Sequence, residues 1–350
     1  MSAGAGFVAE WRRQKSQAFD LVRTSTAGRT LEVDFWGTKR PVYANANLSV
    51  YSAQTCNARC VFCVEELRPA SRGGTLVQQK HIERNDERYF AALEQTLICV
   101  APLAPSTSVT GGEPSKDPRL PRIGRTLAKH GTRQRTLTTN GSGLLDESEG
   151  GRIVDHITAA GISHLNISRA HPNHDRNAQL MSYRDGLAFA PLRHAISEAQ
   201  RGGTQVRLSC VLVKGAIDSL PGIVAYLDFA ASLGVERVIF RQLMQTDPLT
   251  VERNHVVRFS DEHRVQLEPL LDALSDDARF TFVKQIVGYY YYVEVFRCAG
   301  MTVVFEEADL AQLERMKRAE PELVHELIFH PSGQLCATWQ PWDQVLGPLT

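Results

Sequence analysis

The chain has 350 residues, and its 39 Lys and Arg are balanced by 39 Asp and Glu, so its formal net charge is zero. That balance argues against a protein that holds nucleic acid or a membrane surface mainly by electrostatics. With 43% hydrophobic residues, the length suits one large α/β barrel or two medium domains. No apolar run suits a signal peptide or a bilayer span, so we expect a cytoplasmic protein whose thiols stay reduced.

The chain opens with helical apolar spacing over 7–24 and a strand pair over 30–43 around Gly37. Neither segment carries an obvious reactive group, so we interpret residues 1–46 as an N-terminal cap. From there the sequence repeats a short strand, a glycine-rich or polar loop and a helical stretch. The predicted strands are 47–52, 105–110, 134–139, 163–168, 204–212 and 235–243.

The segments between these strands are long enough for crossover helices, for example 184–201 and 218–233. Alternating strands and helices at this spacing indicate an α/β fold with a parallel sheet. Six such units predict a partial (β/α)6 TIM-like barrel over 47–250.

One face of nearly every predicted strand is small or polar, and the other is apolar. A closed eight-stranded barrel fills its lumen with branched apolar side chains, so this pattern predicts an open, wet lumen. A sheet with one solvated face is the alternative, although parallel sheets are usually covered on both sides. The polar face comprises Asn47, Ser49, Tyr51, Ser106, Ser108, Thr110, Thr136, Thr138, Asn166, Ser168, Arg207 and Ser209.

Residues 251–350 predict a small α+β extension that covers the barrel. A helix is expected over 259–275, with Ser260 as its cap. Strand-like runs follow over 280–296 and 301–306, and a hairpin over 326–339 turns at Pro-Ser-Gly.

Three cysteines fall within eight residues after the first strand: Cys56, Cys60 and Cys63. Thiolates are the soft ligands that iron–sulfur clusters need, and full ligation takes four. Three therefore leave one iron free to bind a chelating cofactor. A zinc site is the alternative, but zinc usually takes a second knuckle or a histidine, and none follows nearby.

The spacing Cys-x-x-x-Cys-x-x-Cys after the first strand of a parallel barrel resembles the signature of the radical S-adenosylmethionine superfamily. Residues 110–114 (TGGEP) resemble the family's Gly-Gly-Glu-Pro motif, and residues 138–141 (TTNG) resemble its Thr-Asn-Gly turn. The resemblance covers 47–245. Its motifs fall at the carboxyl ends of successive strands, where parallel barrels build active sites.

The resemblance implies a [4Fe–4S] cluster on the three cysteines, with S-adenosylmethionine as the second cofactor. It implies that Phe62 packs against adenine and that Glu113 accepts from the methionine ammonium. The implied cofactor-binding residues are Phe62, Gly111, Gly112, Glu113, Asn140, Ser168, Arg169 and Leu243.

In this family the reduced cluster cleaves the cofactor to methionine and a 5′-deoxyadenosyl radical, which abstracts a substrate hydrogen. The resemblance therefore implies an enzyme that needs an electron donor such as flavodoxin or ferredoxin. Residues 1–46 are too short for a cobalamin-binding domain, so cobalamin-dependent methylation is disfavoured.

Five cationic or titratable side chains are expected in the upper lumen: Arg169, His171, Arg207, Lys214 and Arg241. Arginine suits carboxylate and phosphate geometry, so His171, Arg207, Lys214 and Arg241 are interpreted as residues that hold a small anionic substrate. Alternatively, some bind the cofactor carboxylate, pair with Glu113 or are rim charges. For His171, a solvated or hydrogen-bonded role is favoured over acid–base work.

Cys298 and Cys336 fall short of an auxiliary cluster, and Cys99 and Cys210 suit small buried apolar residues. We therefore expect one cluster and a small polar sugar- or nucleoside-type substrate in specialised metabolism such as antibiotic biosynthesis. Decarboxylation by a lyase is one option, because the chain is similar in layout to cytosylglucuronate decarboxylases. A peptide-modifying or cofactor-biosynthesis radical enzyme is an alternative. A non-catalytic iron–sulfur or zinc sensor is the alternative from another class.

Overall fold

The computed structural model describes residues 10, 12–13, 29–52, 56–67, 82–183, 185–246, 251 and 253–347. An antiparallel hairpin of β1 (Thr30–Phe35) and β2 (Thr38–Tyr43) lies near the start of this part. It confirms the strand pair expected around Gly37, whose φ of +93° suits glycine at the turn. The helix expected over 7–24 lies mostly outside the described residues.

Six parallel strands form the centre of the sheet, and each begins one or two residues after its predicted start. They pair with one another in the order of their numbers. The partial barrel expected from the alternating pattern is therefore confirmed as the core of an α/β fold. These strands are β3 (Leu48–Ser52), β4 (Thr107–Gly111), β5 (Arg135–Thr139), β8 (His164–Ser168), β9 (Gln205–Leu212) and β10 (Arg237–Gln242).

Helices connect these strands and cover the outer, apolar face of the sheet. The two crossover helices expected from sequence are both present, over Phe189–Arg201 and Leu220–Ser232. A short hairpin of β6 (Glu147–Ser148) and β7 (Gly151–Arg152) precedes the third helix. The helices are α1 (Asp86–Val100), α2 (Leu120–Ala128), α3 (Ile153–Ala159), α4 (His174–Met181), α5 (Phe189–Arg201) and α6 (Leu220–Ser232).

The C-terminal strands extend the same sheet at both of its edges. Strand β13 (Met301–Ala308) pairs parallel with β10, and β14 (Leu327–Phe329) pairs parallel with β3. The part of the chain that the structure describes thus contains eight neighbouring parallel strands. Antiparallel strands flank them: β11 (Phe280–Val287) and β12 (Tyr291–Cys298) on one side, β15 (Leu335–Cys336) and β16 (Val345–Gly347) on the other.

The helix expected over 259–275 was wrong as a single element. Two helices are present, α7 (His255–His263) and α8 (Leu267–Asp276). The cap of α7 is Asn254, whose side chain accepts from the backbone of Val257, whereas Ser260 is buried inside the helix. The helix ends because Arg264 donates to the carbonyls of Leu243 and Met244, which draws the chain onto the end of the barrel.

The strand-like run expected over 280–296 is two strands, because the chain turns at Gly288, whose N–H donates to the carbonyl of Tyr291. The final helix is α9 (Leu310–Ala319), and the expected hairpin turn over 331–333 is confirmed between β14 and β15. No helix in the described part of the chain has the length and apolar character that crossing a bilayer requires.

Candidate active site

The polar faces of the central strands line an open lumen, as their alternation predicts. The opposite face is core, where Leu48, Val109 and Leu208 are at most 1% exposed. Tyr51 lies on the lumen face but is fully buried, and its hydroxyl donates to Glu65 at 2.9 Å. The lumen holds a cavity of about 730 Å³, whose strand residues include Asn47, Ser49, Ser108, Thr110, Thr136, Thr138 and Asn166.

A second cavity, of about 230 Å³, lies at the carboxyl ends of the same strands. Its lining includes every residue predicted to hold the cluster or the cofactor. Those residues come from four strand ends and the cysteine loop, so the fold brings distant motifs to one place. They are Cys56, Cys60, Phe62, Cys63, Gly111, Gly112, Glu113, Asn140, Ser168, Arg169 and Leu243.

The cysteine loop is held against the end of α4 by backbone hydrogen bonds. The N–H of Arg59 donates to the carbonyl of Met181 at 3.0 Å. Burial raises the pKa of Cys56 to about 11, and burial beside the other two thiols raises that of Cys60 well above its ordinary value. The free thiols of Cys56 and Cys60 are therefore protonated at neutral pH, and ligation must displace their protons.

No group of three or more His, Cys, Asp or Glu in the described ranges is placed to hold a single metal ion. Thiolates on one tetrahedral ion lie about 2.3 Å from it and therefore about 4 Å from one another. The three thiols line the second cavity. Soft thiolates suit zinc and iron–sulfur clusters alike, but three of them beside an open cavity fit a four-iron cluster that keeps one iron free for a chelating cofactor.

Glu113 is a buried carboxylate, 1% exposed, that ties two strand ends together. One oxygen accepts from the backbone and hydroxyl of Ser115 and from the hydroxyl of Thr139. The other accepts from the backbone N–H of Asn140 at 2.7 Å. Burial raises the pKa of Glu113, while these four donors lower it. The carboxylate is thus held rigidly at the cavity wall.

Asn140 connects the end of β5 to the cysteine loop. Its Nδ2 donates to Oδ1 of Asn57 at 2.8 Å, and Nδ2 of Asn57 donates to the hydroxyl of Ser142 at 3.0 Å. Gly111, at the end of β4, has a φ of +119°, and an added Cβ would lie 2.8 Å from the backbone nitrogen of Ser52. Only glycine fits there, so the backbone turns closely into the site.

Arg169 lines the second cavity, but its guanidinium is occupied by the loop that follows it. It donates to the carbonyls of His171, Pro172 and Leu187 at 3.0 to 3.2 Å. Burial lowers the pKa of Arg169. The Arg169 side chain therefore lines the second cavity and also stabilises the loop beside that cavity.

The predicted substrate residues are not all brought together. Arg241 lines both cavities, with one terminal nitrogen 3.6 Å from Glu306. Lys214 is exposed, and neither cavity is lined by Lys214, His171 or Arg207. The expected cationic cradle in the upper lumen is thus reduced to Arg169 and Arg241. Lys214 follows β9 into an exposed turn, and His171 turns its Nδ1 to the N–H of Asn173.

Several lining residues lie in the C-terminal region, where the sequence shows no recognisable motif. Glu306 comes from β13, Lys317 from α9, and Glu326 and Trp339 from the segments around β14 and β15. Lys317 lies 2.6 Å from Glu326, and the indole N–H of Trp339 donates to the same carboxylate at 2.9 Å. These charges were not distinguishable from surface charges in the sequence, because the strand that carries Glu306 joins the sheet out of order.

Sequence comparison finds relatives named GTP 3′,8-cyclase. The protein from Pseudomonas putida strain F1 is 30% identical over 218 residues, which are 61% of this chain and 58% of that protein. The one from Rhizobium etli is 24% identical over 203 residues, 56% of this chain and 51% of that protein. The chain thus matches little more than half the length of these curated relatives. No protein-family model matches the chain.

Among solved structures, Streptococcus suis SuiB has a TM-score of 0.47 and 14% identity, covering 84% of this chain and 60% of that one. Coproporphyrinogen III oxidase (HemN) from Escherichia coli, described as a radical SAM enzyme, has a TM-score of 0.42 and 16% identity. The HemN match covers 72% of this chain and 67% of the HemN chain.

The α/β partial barrel and the motifs at its strand ends form a site whose three cysteine thiols suit an iron–sulfur cluster. With the sequence match, they confirm the resemblance to the radical S-adenosylmethionine superfamily that the motifs carry. The cofactors of that superfamily are a [4Fe–4S] cluster and S-adenosylmethionine. The weaker resemblance to cytosylglucuronate decarboxylases gains no support from these relatives.

Proposed function

We propose that this chain is an enzyme that reductively cleaves S-adenosylmethionine and abstracts hydrogen from a small polar substrate held in the lumen. One observation carries the proposal. All eleven residues predicted for the cluster and the cofactor line a single cavity, and that cavity adjoins the larger lumen. The cysteine loop and the motifs that follow four strands thus face one space at the carboxyl rim of the barrel, where parallel barrels build active sites.

The chain's own residues fit these cofactors. Cys56, Cys60 and Cys63 would hold the cluster, and Glu113 would accept from the cofactor ammonium through the oxygen that takes only one backbone donor. Phe62 and the 2%-exposed Leu243 offer apolar contacts to a planar base. When bound, the two cofactors together supply a carbon radical that removes hydrogen from substrate.

The two cavities share a boundary through which the radical would reach its substrate. Both are lined by Val64, Thr110, Thr138, Arg241 and Met244. A substrate in the lumen therefore lies directly beside the cofactor cavity. An electron donor such as flavodoxin or ferredoxin and a cytoplasmic location remain predictions.

We propose two candidate classes for the reaction that follows hydrogen abstraction. A sugar- or nucleoside-type substrate, with decarboxylation as one option, was expected from the sequence. The relatives named GTP 3′,8-cyclase favour a second candidate, a cofactor-biosynthesis reaction on a nucleotide. Cys298 and Cys336 lie on β12 and β15, near opposite ends of the sheet order, which argues against their sharing an auxiliary cluster.

Anaerobic turnover tests the proposal directly. The protein is reconstituted with iron and sulfide, reduced with dithionite and supplied with S-adenosylmethionine, and 5′-deoxyadenosine is measured by mass spectrometry. We expect multiple turnovers of cleavage, abolished when Cys56, Cys60 and Cys63 are all replaced by Ala. A protein that binds iron but forms no 5′-deoxyadenosine would be a sensor, and the proposal would fail.

A further inference from the structure

The floor of the lumen is built from neutral hydrogen-bonding side chains on neighbouring strands. In one rung, the hydroxyls of Ser49 and Ser108 lie 3.3 Å apart, and Ser108 is in register with Thr136. In the next rung, Thr138 is in register with Asn166. These short side chains leave the cavity open, where a filled barrel would carry branched apolar residues. We call this group, Ser49, Ser108, Thr110, Thr136, Thr138 and Asn166, the hydroxyl floor.

The hydroxyl floor has hydrogen-bonding capacity that the protein does not use. Asn166 is 5% exposed, and its Nδ2 donates to the hydroxyl of Thr138 at 3.4 Å. Its Oδ1 is buried without a partner. Thr110 and Thr136 are half-buried, and within the described chain their hydroxyls make no hydrogen bond to the protein. Since a buried polar atom without a partner costs stability, Oδ1 of Asn166 points to a ligand that would satisfy it, and the two hydroxyls line the same cavity.

The charges around the lumen are balanced. Its lining has three basic side chains, Arg241, Lys317 and Arg318, against four acidic ones, Glu306, Glu314, Glu326 and Asp343. Glu306 lies 3.6 Å from Arg241, and Glu326 lies 2.6 Å from Lys317. A nucleoside triphosphate, which carries several negative charges, would meet more carboxylates than cations here. The lining thus suits a ligand of low net charge.

The wall opposite the strands adds an apolar surface. Trp339 lines the lumen, and its indole N–H is fixed by Glu326. A ligand with both C–H faces and several hydroxyls would contact the ring and the hydroxyl floor together. A volume of about 730 Å³ is within the usual range for small-molecule sites.

We infer that the lumen binds a polyhydroxylated substrate of the sugar or nucleoside class that carries at most one net charge. This inference rests on the proposed function and narrows its substrate. The substrate hydroxyls bond to the hydroxyl floor, with Thr136 and Asn166 as the principal partners, and Arg241 marks the end nearest the cofactor cavity. The expected anionic substrate is thereby limited to a single negative charge.

Binding of matched probes to the reconstituted protein, loaded with S-adenosylmethionine, tests the inference. The neutral probes are glucose, galactose, cytidine and guanosine, and the charged partners are glucose 6-phosphate, galactose 1-phosphate, CTP and GTP. Binding is measured by saturation-transfer NMR and equilibrium dialysis. We expect at least one neutral probe to bind, and to bind at least tenfold more tightly than its phosphorylated partner.

The variant Thr136→Val removes one hydroxyl without changing the shape of the side chain. We expect it to weaken binding of that neutral probe by about three- to tenfold, the loss typical of one hydrogen bond. The control is Thr281→Val, at an exposed position of β11 away from the lumen, which should not change binding. Tighter binding of GTP or CTP, no binding of any neutral probe, or equal effects of the two variants would overturn the inference. Formation of 5′-deoxyadenosine by the wild type, measured on the same sample, reports separately on the proposed function.

Discussion

The backbone N–H of Asn140 donates to Oε2 of Glu113 at 2.7 Å, so the carboxylate that follows β4 holds the turn that follows β5. Because Asn140 also donates to Asn57 in the cysteine loop, three separate segments are coupled around one cavity. The motif that contains Glu113 therefore joins these segments, in addition to the cofactor-binding role that we propose for its carboxylate. Changes at Glu113 must separate these two roles.

We expect Glu113→Gln to weaken S-adenosylmethionine binding by about ten- to a hundredfold, while the fold and the iron content stay close to those of the wild type. The amide keeps the shape and an acceptor oxygen, but the ammonium loses its charged partner, which is worth about 1.5–3 kcal/mol. Equilibrium dialysis against labelled cofactor measures the dissociation constant.

Glu113→Ala is the comparison, because it also removes the acceptor for Ser115, Thr139 and Asn140. We expect it to lower the melting temperature in addition to weakening the cofactor. A Glu113→Gln protein with an unchanged dissociation constant would remove the Gly-Gly-Glu-Pro segment from the cofactor site.

A second prediction concerns the iron content. Cys56→Ala, Cys60→Ala or Cys63→Ala should each lose most of the iron and the broad absorbance near about 400 nm expected of a cluster. Cys298→Ala and Cys336→Ala should keep both, because their thiols are buried on strands near opposite ends of the sheet. Iron and sulfide analysis after anaerobic reconstitution gives the count, and a halved iron content in either control would reveal a second cluster.

The fold of the core could be predicted closely because its strands carry a strong period. Alternation of polar and apolar residues marked each central strand to within two residues, and also predicted which face lines the lumen. The C-terminal region could not be predicted in the same way. Strand β13 pairs with β10 and β14 pairs with β3, so residues that are distant in sequence complete the sheet. Pairing of that kind leaves no local signal.

The candidate site also contains residues that could be predicted from the sequence and residues that could not. Residues at strand ends, such as Glu113 and Asn140, fall in short motifs whose order follows the strands, and the structure brings them all to one cavity. Arg207 was expected there from its strand face. It lies near the middle of β9, in register with Asn166, but unlike Asn166 it lines neither cavity.

Substitutions of Arg207 and Arg241 should therefore have different effects. Arg241→Met should raise the KM for substrate strongly, because Arg241 lines both cavities, and it leaves Glu306 without its cation. Arg207→Met should leave KM nearly unchanged and raise the melting temperature. Burial, together with Arg237 and Arg241 nearby, lowers the pKa of Arg207 to about 10, so its charge is unfavourable where it lies. Steady-state kinetics and thermal unfolding of both variants check this. A large rise in KM for Arg207→Met would return that residue to the substrate site.

The last prediction concerns acid stability and His325. This side chain is 4% exposed, neither ring nitrogen has a hydrogen-bond partner, and burial with Lys317 nearby lowers its pKa to about 4. An unfolded histidine titrates near about 6.5, so between these values the unfolded chain binds more protons than the folded one. The free energy of unfolding should therefore fall as the pH drops from 6.5 toward 4, by at most about 1.4 kcal/mol per pH unit from this residue.

Denaturant unfolding of the wild type and of His325→Phe at several pH values measures the difference, with the exposed His255→Phe as the control. We expect His325→Phe to lose part of the acid sensitivity and His255→Phe to keep all of it. If the two variants follow the same pH profile, His325 is not the group that destabilises the fold in acid.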